Sequence, residues 1–391
     1  MRRDLSAFVD SRRDALLKLL SDLVAAKTEN PPGNEHLAAA IIADFFRACG
    51  IPYKTYEAEP GRTNIIGIVG RGRPRILIAP HLDTVPVGEG WETDPFQAVV
   101  KGDLIYGRGA CDNKGAAASM LIAGEFLKSI ESELRGEVWL AGVADEERGS
   151  RLGLGYLVKE RVLDVDMALV PDIPEHLQLI DVAEKGACWI ELTSHGKQAH
   201  GSRPEEGVNA IWNLIHLLTK LKKTVLPHAA HRYLTPPTLN LGQIQGGNAP
   251  NMVAALCRAS VDIRYLPGTT PDEIVSLVNA AVAEAEKETG GRFEARTLLA
   301  QPPTEVPEDS PIIRALSDAT REVTGKAPRI GGMSGATVVK VLLAGGIAGV
   351  GCGAGDGSAP HGANECVPIS ELVAFSKILA LTCMKAMHVA T

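Results

Sequence analysis

The stretch Arg75–Pro86, RILIAPHLDTVP, is the part of the sequence around which the rest of the chain is expected to be arranged. Its apolar first half predicts a short buried strand, and a histidine and an aspartate follow it two residues apart. Because side chains alternate along extended backbone, His81 and Asp83 are expected to face the same side. A metal-binding imidazole commonly has a partner on its other ring nitrogen, so Asp83 is a candidate to orient His81. The alternative is a strand end that polar residues merely cap.

Further acidic and imidazole side chains follow other predicted strands or precede a predicted helix. Five such residues are Asp112, Glu146, Glu147, Asp172 and His361. Parallel strands end at one edge of their sheet, so these side chains are expected to converge there. Carboxylates that lie together repel one another strongly unless a cation holds them. Imidazole with carboxylate suits zinc and tolerates cobalt or manganese, so the sequence predicts a metal centre. For each single residue, the alternative is a surface or helix-capping role.

The order of predicted strands and helices indicates two kinds of domain. Strands at 64–69, 75–79, 137–144 and 166–170 alternate with helices, which predicts an α/β domain with a mainly parallel sheet sandwiched by helices. From about residue 185 the order becomes strand, helix, two strands, helix and strand, which is typical of a ferredoxin-like α+β unit. We therefore predict a metal-binding domain of residues 1–184 and 297–391, interrupted by an inserted domain of residues 185–296.

Composition narrows the range of partners and compartments. A chain of 391 residues with 45% hydrophobic and 22% charged residues is long enough for two globular domains. The formal net charge of −7, without a Lys/Arg-rich block, argues against nucleic acid and favours small molecules. No segment is apolar enough for a signal peptide or a bilayer span, so we expect no membrane partner. Seven scattered cysteines without a C-x-x-C pair make disulfides unexpected, and we predict a cytoplasmic protein.

Five motifs in order carry a resemblance to a known family. They are HLDTVP, GRGACDNKG, DEERG, GKQAHGSRPEEGVNAI at Gly196–Ile211 and HGANE at His361–Glu365. Together they resemble the two-zinc hydrolases typified by acetylornithine deacetylase, succinyl-diaminopimelate desuccinylase and carboxypeptidase G. The resemblance covers almost the whole chain. It implies a zinc-exopeptidase-like catalytic domain, an inserted domain for dimerisation and for covering the site, and hydrolysis of the amide bond of small N-acyl amino acids.

The resemblance also implies how the ligands divide between two zinc ions. Asp112 would bridge both ions, His81 and Asp172 would bind one, and Glu147 and His361 would bind the other. A metal ion activates water for attack on a carbonyl carbon, so this ligand set is chemically sensible for amide hydrolysis.

Three further residues receive catalytic roles from the resemblance. Glu146 would be the general base, and Asp83 would orient the imidazole of His81. Because Glu146 and its neighbour are adjacent, one can face a metal ion while the other faces the water. His200 in the inserted domain would stabilise the charge that develops on the carbonyl oxygen, reaching across a homodimer.

Substrate recognition is the third implication of the resemblance. Asn251 and Arg264, with Gly332 and Ser334 of the turn at 331–334, would hold a free carboxylate of the substrate. A guanidinium fork matches a carboxylate geometrically. The alternative for Arg264 is an ion pair at the rim of a strand.

Two positions depart from the deacylase pattern. Asp172 stands where deacylases usually carry glutamate and where similar dipeptidases and aminopeptidases more often carry aspartate, and Gly335 stands where deacylases commonly carry aspartate. A dipeptidase or carboxypeptidase acting on short peptides is therefore the alternative function. A non-catalytic binding protein with the same fold is a more remote alternative.

Overall fold

A nine-stranded mixed sheet and a four-stranded antiparallel sheet are the frameworks of the computed structural model, which describes residues 4–333, 335 and 337–388. The described chain divides into two units. The first comprises residues 4–182, 306–331 and 337–388, and the second comprises residues 183–305, 332–333 and 335. Among the described helices, none is both long and apolar enough to cross a membrane.

The secondary-structure elements are numbered in chain order. The helices are α1 (Leu5–Ser11), α2 (Arg13–Ala25), α3 (His36–Ala48), α4 (Lys114–Ser129), α5 (Leu154–Lys159), α6 (Ala210–Lys223), α7 (Pro271–Thr289), α8 (Pro311–Thr324), α9 (Val339–Ala344) and α10 (Ile369–Ala386). The strands are β1 (Tyr53–Glu57), β2 (Thr63–Gly70), β3 (Arg75–Ile78), β4 (Val99–Lys101), β5 (Leu104–Tyr106), β6 (Glu137–Gly142), β7 (Met167–Val170), β8 (Leu179–Glu184), β9 (Gly186–His195), β10 (Thr238–Gly246), β11 (Leu256–Tyr265), β12 (Arg292–Gln301), β13 (Thr304–Glu305), β14 (Arg329–Met333), β15 (Ala348–Gly351) and β16 (Cys366–Pro368).

The larger sheet has a parallel centre and antiparallel flanks. Its order is β1-β2-β6-β3-β7-β15-β8-β13, with β14 beside β8. Strands β6, β3, β7 and β15 are parallel, whereas β1 with β2, β2 with β6 and β15 with β8 pair antiparallel. The predicted α/β class is confirmed. The antiparallel pair β1–β2 departs from the predicted alternation of strands and helices. The connection at 58–62 is too short for the crossover that parallel strands need, so it can join only antiparallel neighbours.

The parallel strands end together at one edge of this sheet. Ile78 of β3 is in register with Leu140 of β6 and with Leu169 of β7, and Val170 is in register with Gly351 of β15. Residues that follow these strands therefore emerge side by side, which is where open α/β sheets bind ligands. The alanine-rich helix α4 is buried along most of its length and starts at this edge.

Capping residues define the ends of several helices. The side chain of Thr270 and that of Glu273 form a capping box at the start of α7, a feature typically worth about 1 kcal/mol. Gly325 ends α8 with a left-handed φ of +77°. Helices α1 and α2 are separate because Arg12 leaves the helical conformation, and the Arg12 side chain pairs with Glu125.

The second unit contains the inserted α+β fold that the sequence predicts. Its sheet has the order β10-β11-β9-β12 with every neighbour antiparallel. Helices α6 and α7 cover one face and bury a core that includes Ile190, Leu217, Val261 and Val278. Alternating apolar positions along β9 and β11 produce this face, because successive side chains of a strand point to opposite sides.

Candidate metal centre

Two histidines and four carboxylates of the first unit converge beyond the ends of its parallel strands. They are His81, Asp112, Glu146, Glu147, Asp172 and His361. The imidazole of the first histidine follows β3, and the acids that follow β6 and β7 approach it from the neighbouring strands. The structure therefore brings together every residue that the sequence predicts as a metal ligand, and also the predicted base.

Asp112 lies between the two histidines. Its Oδ1 is 2.8 Å from Nε2 of His81, and its Oδ2 is 3.4 Å from Nε2 of His361. His81 is buried, and its Nδ1 donates to the main-chain oxygen of Asp83 at 3.0 Å, which leaves Nε2 free to act as a ligand. Each oxygen of Asp112 therefore faces a different imidazole.

The remaining acids complete two groups of potential ligand atoms. One group comprises His81, Glu146 and Asp172, and the other comprises His81, Asp112 and Glu147; within each group the atoms lie within 4.8 Å of one another. Oε2 of Glu147 is also 3.2 Å from the His361 ring. Glu146, predicted as the base, thus lies as close to potential ligands as its neighbour does, and distance alone does not distinguish their roles.

Burial and mutual repulsion govern the protonation of this cluster. Burial raises the pKa of Asp172 to about 7, and burial together with the charge of Asp172 raises the pKa of Glu146 well above its ordinary range. Burial disfavours protonated His81, but the neighbouring Asp172 and Asp112 outweigh it and raise the pKa of the imidazole. Burial likewise disfavours ionised Asp112, but hydrogen bonds from His361 and His81 lower its pKa. Protons therefore balance the acidic charge when no cation does.

The donor set fits a divalent cation. Oε1 of Glu147 is buried and has no hydrogen-bond partner among the described residues. A buried carboxylate oxygen without a partner is costly, and a cation would satisfy it while replacing the protons of its neighbours. Imidazole nitrogens with carboxylate oxygens match the preferences of zinc, cobalt and manganese.

Asp83 acts differently from the sequence-based expectation. Its Oδ1 lies 3.6 Å from Nδ1 of His81, farther than its own main-chain oxygen. Instead, the carboxylate accepts hydrogen bonds from the main-chain N–H groups of Glu146 at 3.0 Å and Glu147 at 3.2 Å and from the side chain of Asn30 at 2.8 Å. Asp83 therefore orients the imidazole mainly through its carbonyl, and its carboxylate positions the two glutamates.

A buried ionic network that the sequence did not indicate supports the same loop. Arg62 donates to both oxygens of Glu35 at 2.7 Å and to Asp145 at 3.1 Å. Asp145 has a left-handed φ of +63° immediately before the two glutamates, and its Oδ2 accepts from the main chain of Leu152. No spacing or motif relates these residues, because they come from separate segments of the chain.

Asn113 contacts the acid that departs from the deacylase pattern. Its Nδ2 donates to Oδ1 of Asp172 at 3.1 Å, and the asparagine is almost fully buried. The same oxygen lies 3.5 Å from His81. A neutral donor at this position favours the ionised carboxylate and fixes its rotation.

His200 and Asn251 lie together at an exposed turn of the second unit. The main chains of the two segments are joined by a hydrogen bond from Gly201 to Asn251 at 2.8 Å. Nδ1 of His200 accepts from the main-chain N–H of Ser202 at 3.1 Å and lies 2.8 Å from the hydroxyl oxygen of the same residue. Since a main-chain N–H can only donate, the neutral ring carries its proton on Nε2, the exposed nitrogen.

Arg264 lies at the other end of the same sheet. Leu256 of β11 pairs with His195 and Arg264 pairs with Ala187, eight positions farther along. At about 3.3 Å per residue this separation is roughly 26 Å, and Asn251 lies beyond the Leu256 end. The Arg264 guanidinium pairs with Asp262 at 2.9 Å, as in the alternative of a rim ion pair. Within one copy of the chain, Arg264 and Asn251 cannot hold the same small carboxylate.

The predicted substrate turn is described only in part. Gly332 packs so closely that a Cβ there would lie 2.6 Å from the main-chain oxygen of Ala183 and 2.7 Å from the Leu234 side chain. This crowding explains the glycine by packing alone. Ser334 lies outside the described residues.

The sequence is similar to known proteins over most of its length. Residues 182–290 match a family model for the peptidase dimerisation domain. The chain is 32% identical over 311 residues to an acetylornithine deacetylase of Proteus mirabilis, with 76% of this chain and 77% of the relative covered. It is 30% identical over 407 aligned positions to an uncharacterised metallohydrolase of Methanocaldococcus jannaschii, with 93% and 97% covered.

Solved structures share the fold at lower sequence identity. A tripeptidase of Staphylococcus aureus superposes with a TM-score of 0.79 at 23% identity, covering 96% of this chain and 98% of that one. A dinuclear metal-binding peptidase of Bacillus subtilis from the M20 family superposes with a TM-score of 0.76 at 16% identity, covering 97% and 100%.

Proposed function

The chain belongs to the M20 family of metallohydrolases, and from this membership we propose that it hydrolyses the amide bond of small N-acyl amino acids, as a deacetylase or desuccinylase. The observation that carries the proposal is the buried cluster of two histidines and four carboxylates at one sheet edge. Carboxylates this close together repel one another and destabilise the fold unless a cation binds them. The cluster therefore supports metal-dependent hydrolysis better than a structural role.

Five side chains would hold two metal ions. They are His81, Asp112, Glu147, Asp172 and His361. We propose zinc, with cobalt or manganese as substitutes, because the ligands are imidazoles and carboxylates. When bound, the ions supply Lewis-acid activation of water and of the amide carbonyl. Asp112 is the proposed bridge because its two oxygens face different histidines.

Glu146 is the proposed general base. Burial gives its carboxylate a raised proton affinity, so it can take the proton of the attacking water and pass it to the departing amine. Its main-chain N–H is held by Asp83, which limits the freedom of the whole loop. The adjacent Glu147, which contacts His361, is then the metal ligand of the pair.

His200 is the proposed donor to the carbonyl oxygen, supplied by the second copy of a homodimer. Its exposed Nε2–H has no role in its own turn, and the matched dimerisation domain supports association of two chains. An N–H donor placed at a developing oxyanion stabilises the transition state more than the substrate. Asn251 lies beside it and would contact the substrate from the same copy.

Arg264 remains a candidate for the substrate carboxylate, together with Gly332 and Ser334. Because Arg264 and Asn251 lie at opposite ends of one sheet, one substrate would meet them only from different copies. This requirement fits the proposed dimer.

We assign metal-dependent chemistry to residues 1–184 and 297–391 and dimerisation and covering of the substrate to residues 185–296. All seven cysteines are free in the structure, which suits the proposed cytoplasmic location.

Trp212 on α6 is 68% exposed, and Leu241 and Ile244 on the edge strand β10 are also exposed, so this surface is the proposed dimer contact.

The dimer contact is tested by light scattering after size-exclusion chromatography. Trp212→Glu should shift the protein toward monomer because it places a charge in an apolar contact, whereas Glu284→Gln on α7 is a surface control. A Trp212→Glu protein that stays dimeric at micromolar concentration would contradict this surface.

The substrate is tested with a panel of N-acetyl amino acids, N-succinyl amino acids and dipeptides, using metal-loaded enzyme. We expect kcat/KM to be highest for an N-acyl amino acid with a free carboxylate. Loss of the carboxylate should cost about 2–4 kcal/mol of transition-state binding if a guanidinium contacts it. Metal-loaded protein without hydrolysis of any of these compounds would contradict the proposal.

Hydrolysis of dipeptides is the second candidate. Asp172, with Asn113 bound to it, is the observation that favours it, because similar dipeptidases more often carry aspartate at this position. A dipeptide preferred over every N-acyl amino acid in kcat/KM would select this function.

A further inference from the structure

Glu365 is a buried carboxylate that none of the proposed roles uses. It is 1% exposed and lies four residues after His361. It is not among the groups of potential metal ligands. A charge this deep in the protein needs specific partners.

The partners of Glu365 belong to the segment that leads to Asp112. Oε1 accepts from the main-chain N–H groups of Cys111 and Asp112, both at 2.9 Å. Oε2 accepts from the main-chain N–H of Gly109 at 3.1 Å and from Nη1 of Arg108 at 2.7 Å. In addition, its main-chain oxygen accepts from Gly107 at 3.0 Å. One residue thereby ties the segment of His361 to the segment of Asp112.

We propose that Glu365 is a positioning residue that sets the distance between Asp112 and His361, and thereby the affinity for the metal ion that these two would share. This inference rests on the proposed metal-binding function. Asp112 and His361 belong to different loops, and the Glu365 carboxylate joins these two loops next to both residues.

The arrangement repeats the role of Asp83 on the other side of the centre. Asp83 accepts the N–H groups of Glu146 and Glu147, and Glu365 accepts those of Cys111 and Asp112. Each carboxylate holds one ligand-bearing loop by its main chain. The centre is therefore built from two main-chain clamps, which act on different ligands.

Only a carboxylate satisfies all the donors around Glu365. Each of its oxygens receives two N–H groups, so a glutamine amide would turn its NH₂ toward two donors in either orientation. Glu371 offers a matched control, because its Oε2 accepts one main-chain N–H, from Gly355 at 2.7 Å, and its Oε1 contacts a histidine ring. A glutamine at 371 can keep both contacts.

The test is a Zn²⁺ titration by calorimetry, with a competing chelator, of wild type, Glu365→Gln and Glu371→Gln, together with thermal unfolding of each metal-free protein. We expect Glu365→Gln to weaken one of the two binding steps by about 10–100-fold and the other by less, as loss of a group that orients ligands typically does. Glu371→Gln should keep both steps within about threefold of wild type. If Glu365→Gln does not fold, Glu365→Asp keeps the charge but shortens the side chain that reaches the N–H groups of Cys111 and Asp112, so it should weaken the same step.

Each outcome decides the proposal. A lower melting temperature of metal-free Glu365→Gln with both zinc affinities unchanged would overturn it and leave a purely structural role. Equal weakening in Glu371→Gln would also overturn it, since that variant keeps the contacts of Glu365. Wild-type protein that binds no dication would refute the proposed metallohydrolase function itself, and the role of Glu365 with it.

Discussion

The ligand cluster of the first unit and the His200 turn of the second unit are held in opposite ways. His81 and Asp83 are buried, and main-chain and side-chain contacts fix both. His200 is exposed, and among the described residues its ring has hydrogen-bond contacts with Ser202 alone. The first region is therefore held in place by the fold itself, whereas the donor role proposed for the second region requires another molecule to approach the exposed ring. Substitutions of the proposed metal ligands in the first region should therefore change metal binding, and substitution of His200 in the second should change turnover alone.

The largest effect is expected from Asp112. Asp112→Ala should lose both ions and all measurable hydrolysis, because its two oxygens face both histidines. His81→Ala should mainly weaken the binding of one ion, since only Nε2 of the His81 ring is free for a metal. Elemental analysis of the purified variants measures their metal content, and full metal occupancy in Asp112→Ala would contradict the proposed role of Asp112 as a bridging ligand.

The next effect separates Glu146 from Glu147. Glu146→Gln should retain both ions while kcat falls by about 10²–10⁴, the usual contribution of a positioned base. Glu147→Gln should lose metal as well, because its Oε2 lies beside the His361 ring. Metal content and kcat are measured on the same preparations. If Glu146→Gln emptied a metal site and Glu147→Gln kept both ions, the two roles would be reversed.

Substitution of His200 tests the role proposed for the exposed turn of the second unit. His200→Ala should keep its metal and lose about 10²–10³ in kcat, which is typical for removal of an oxyanion donor. Mixed in equal amounts with Glu146→Gln and allowed to exchange subunits, about half of the dimers should be mixed. Each mixed dimer has one site with an intact base and an intact donor, so activity should return to about a quarter of wild type.

Subunit exchange must be verified for that experiment by native mass spectrometry. Activity that stays at the level of the parent variants despite exchange would show that His200 serves its own subunit or has no catalytic role. Loss of metal in His200→Ala would contradict the contrast between the two regions.

The smallest effect concerns pH. In the metal-free protein His81 holds a proton because its pKa is raised, and Asp172, with a pKa of about 7, is protonated in part at neutral pH. A cation displaces these protons, so metal affinity should rise with pH by up to about tenfold per unit for each proton released. Calorimetry at pH 6.5 in buffers with different ionisation enthalpies counts the protons. Binding without proton release at that pH would contradict the raised pKa values.

Local patterns in the sequence were enough to locate much of this centre. His81, Asp112, Glu147 and Asp172 follow strands or precede a helix that apolar runs and breakers identify, and parallel pairing then requires the strand ends to meet. The capping box at Thr270 is a local feature of the same kind, because a cap depends on residues three positions apart.

Several features were decided by tertiary structure alone. Strand β8 was not predicted, because its six buried residues include two acids, and this pattern is not typical of a core strand. Asp83 was expected to orient an imidazole two residues away, but its carboxylate instead holds a loop more than sixty residues distant. The ends of β11 separate Arg264 from Asn251, which motif matching had grouped at one carboxylate.

The physical reason is the range of the interactions involved. Strand and helix periodicity, caps and turns depend on neighbours within a few residues, and a sequence displays those neighbours directly. The partners of Asp83, Arg62 and Glu365 are main-chain N–H groups and side chains from distant segments. Those partners become neighbours only when the sheet has assembled, so the ligand types were determined by the sequence and the clamps that hold them were decided by the tertiary structure.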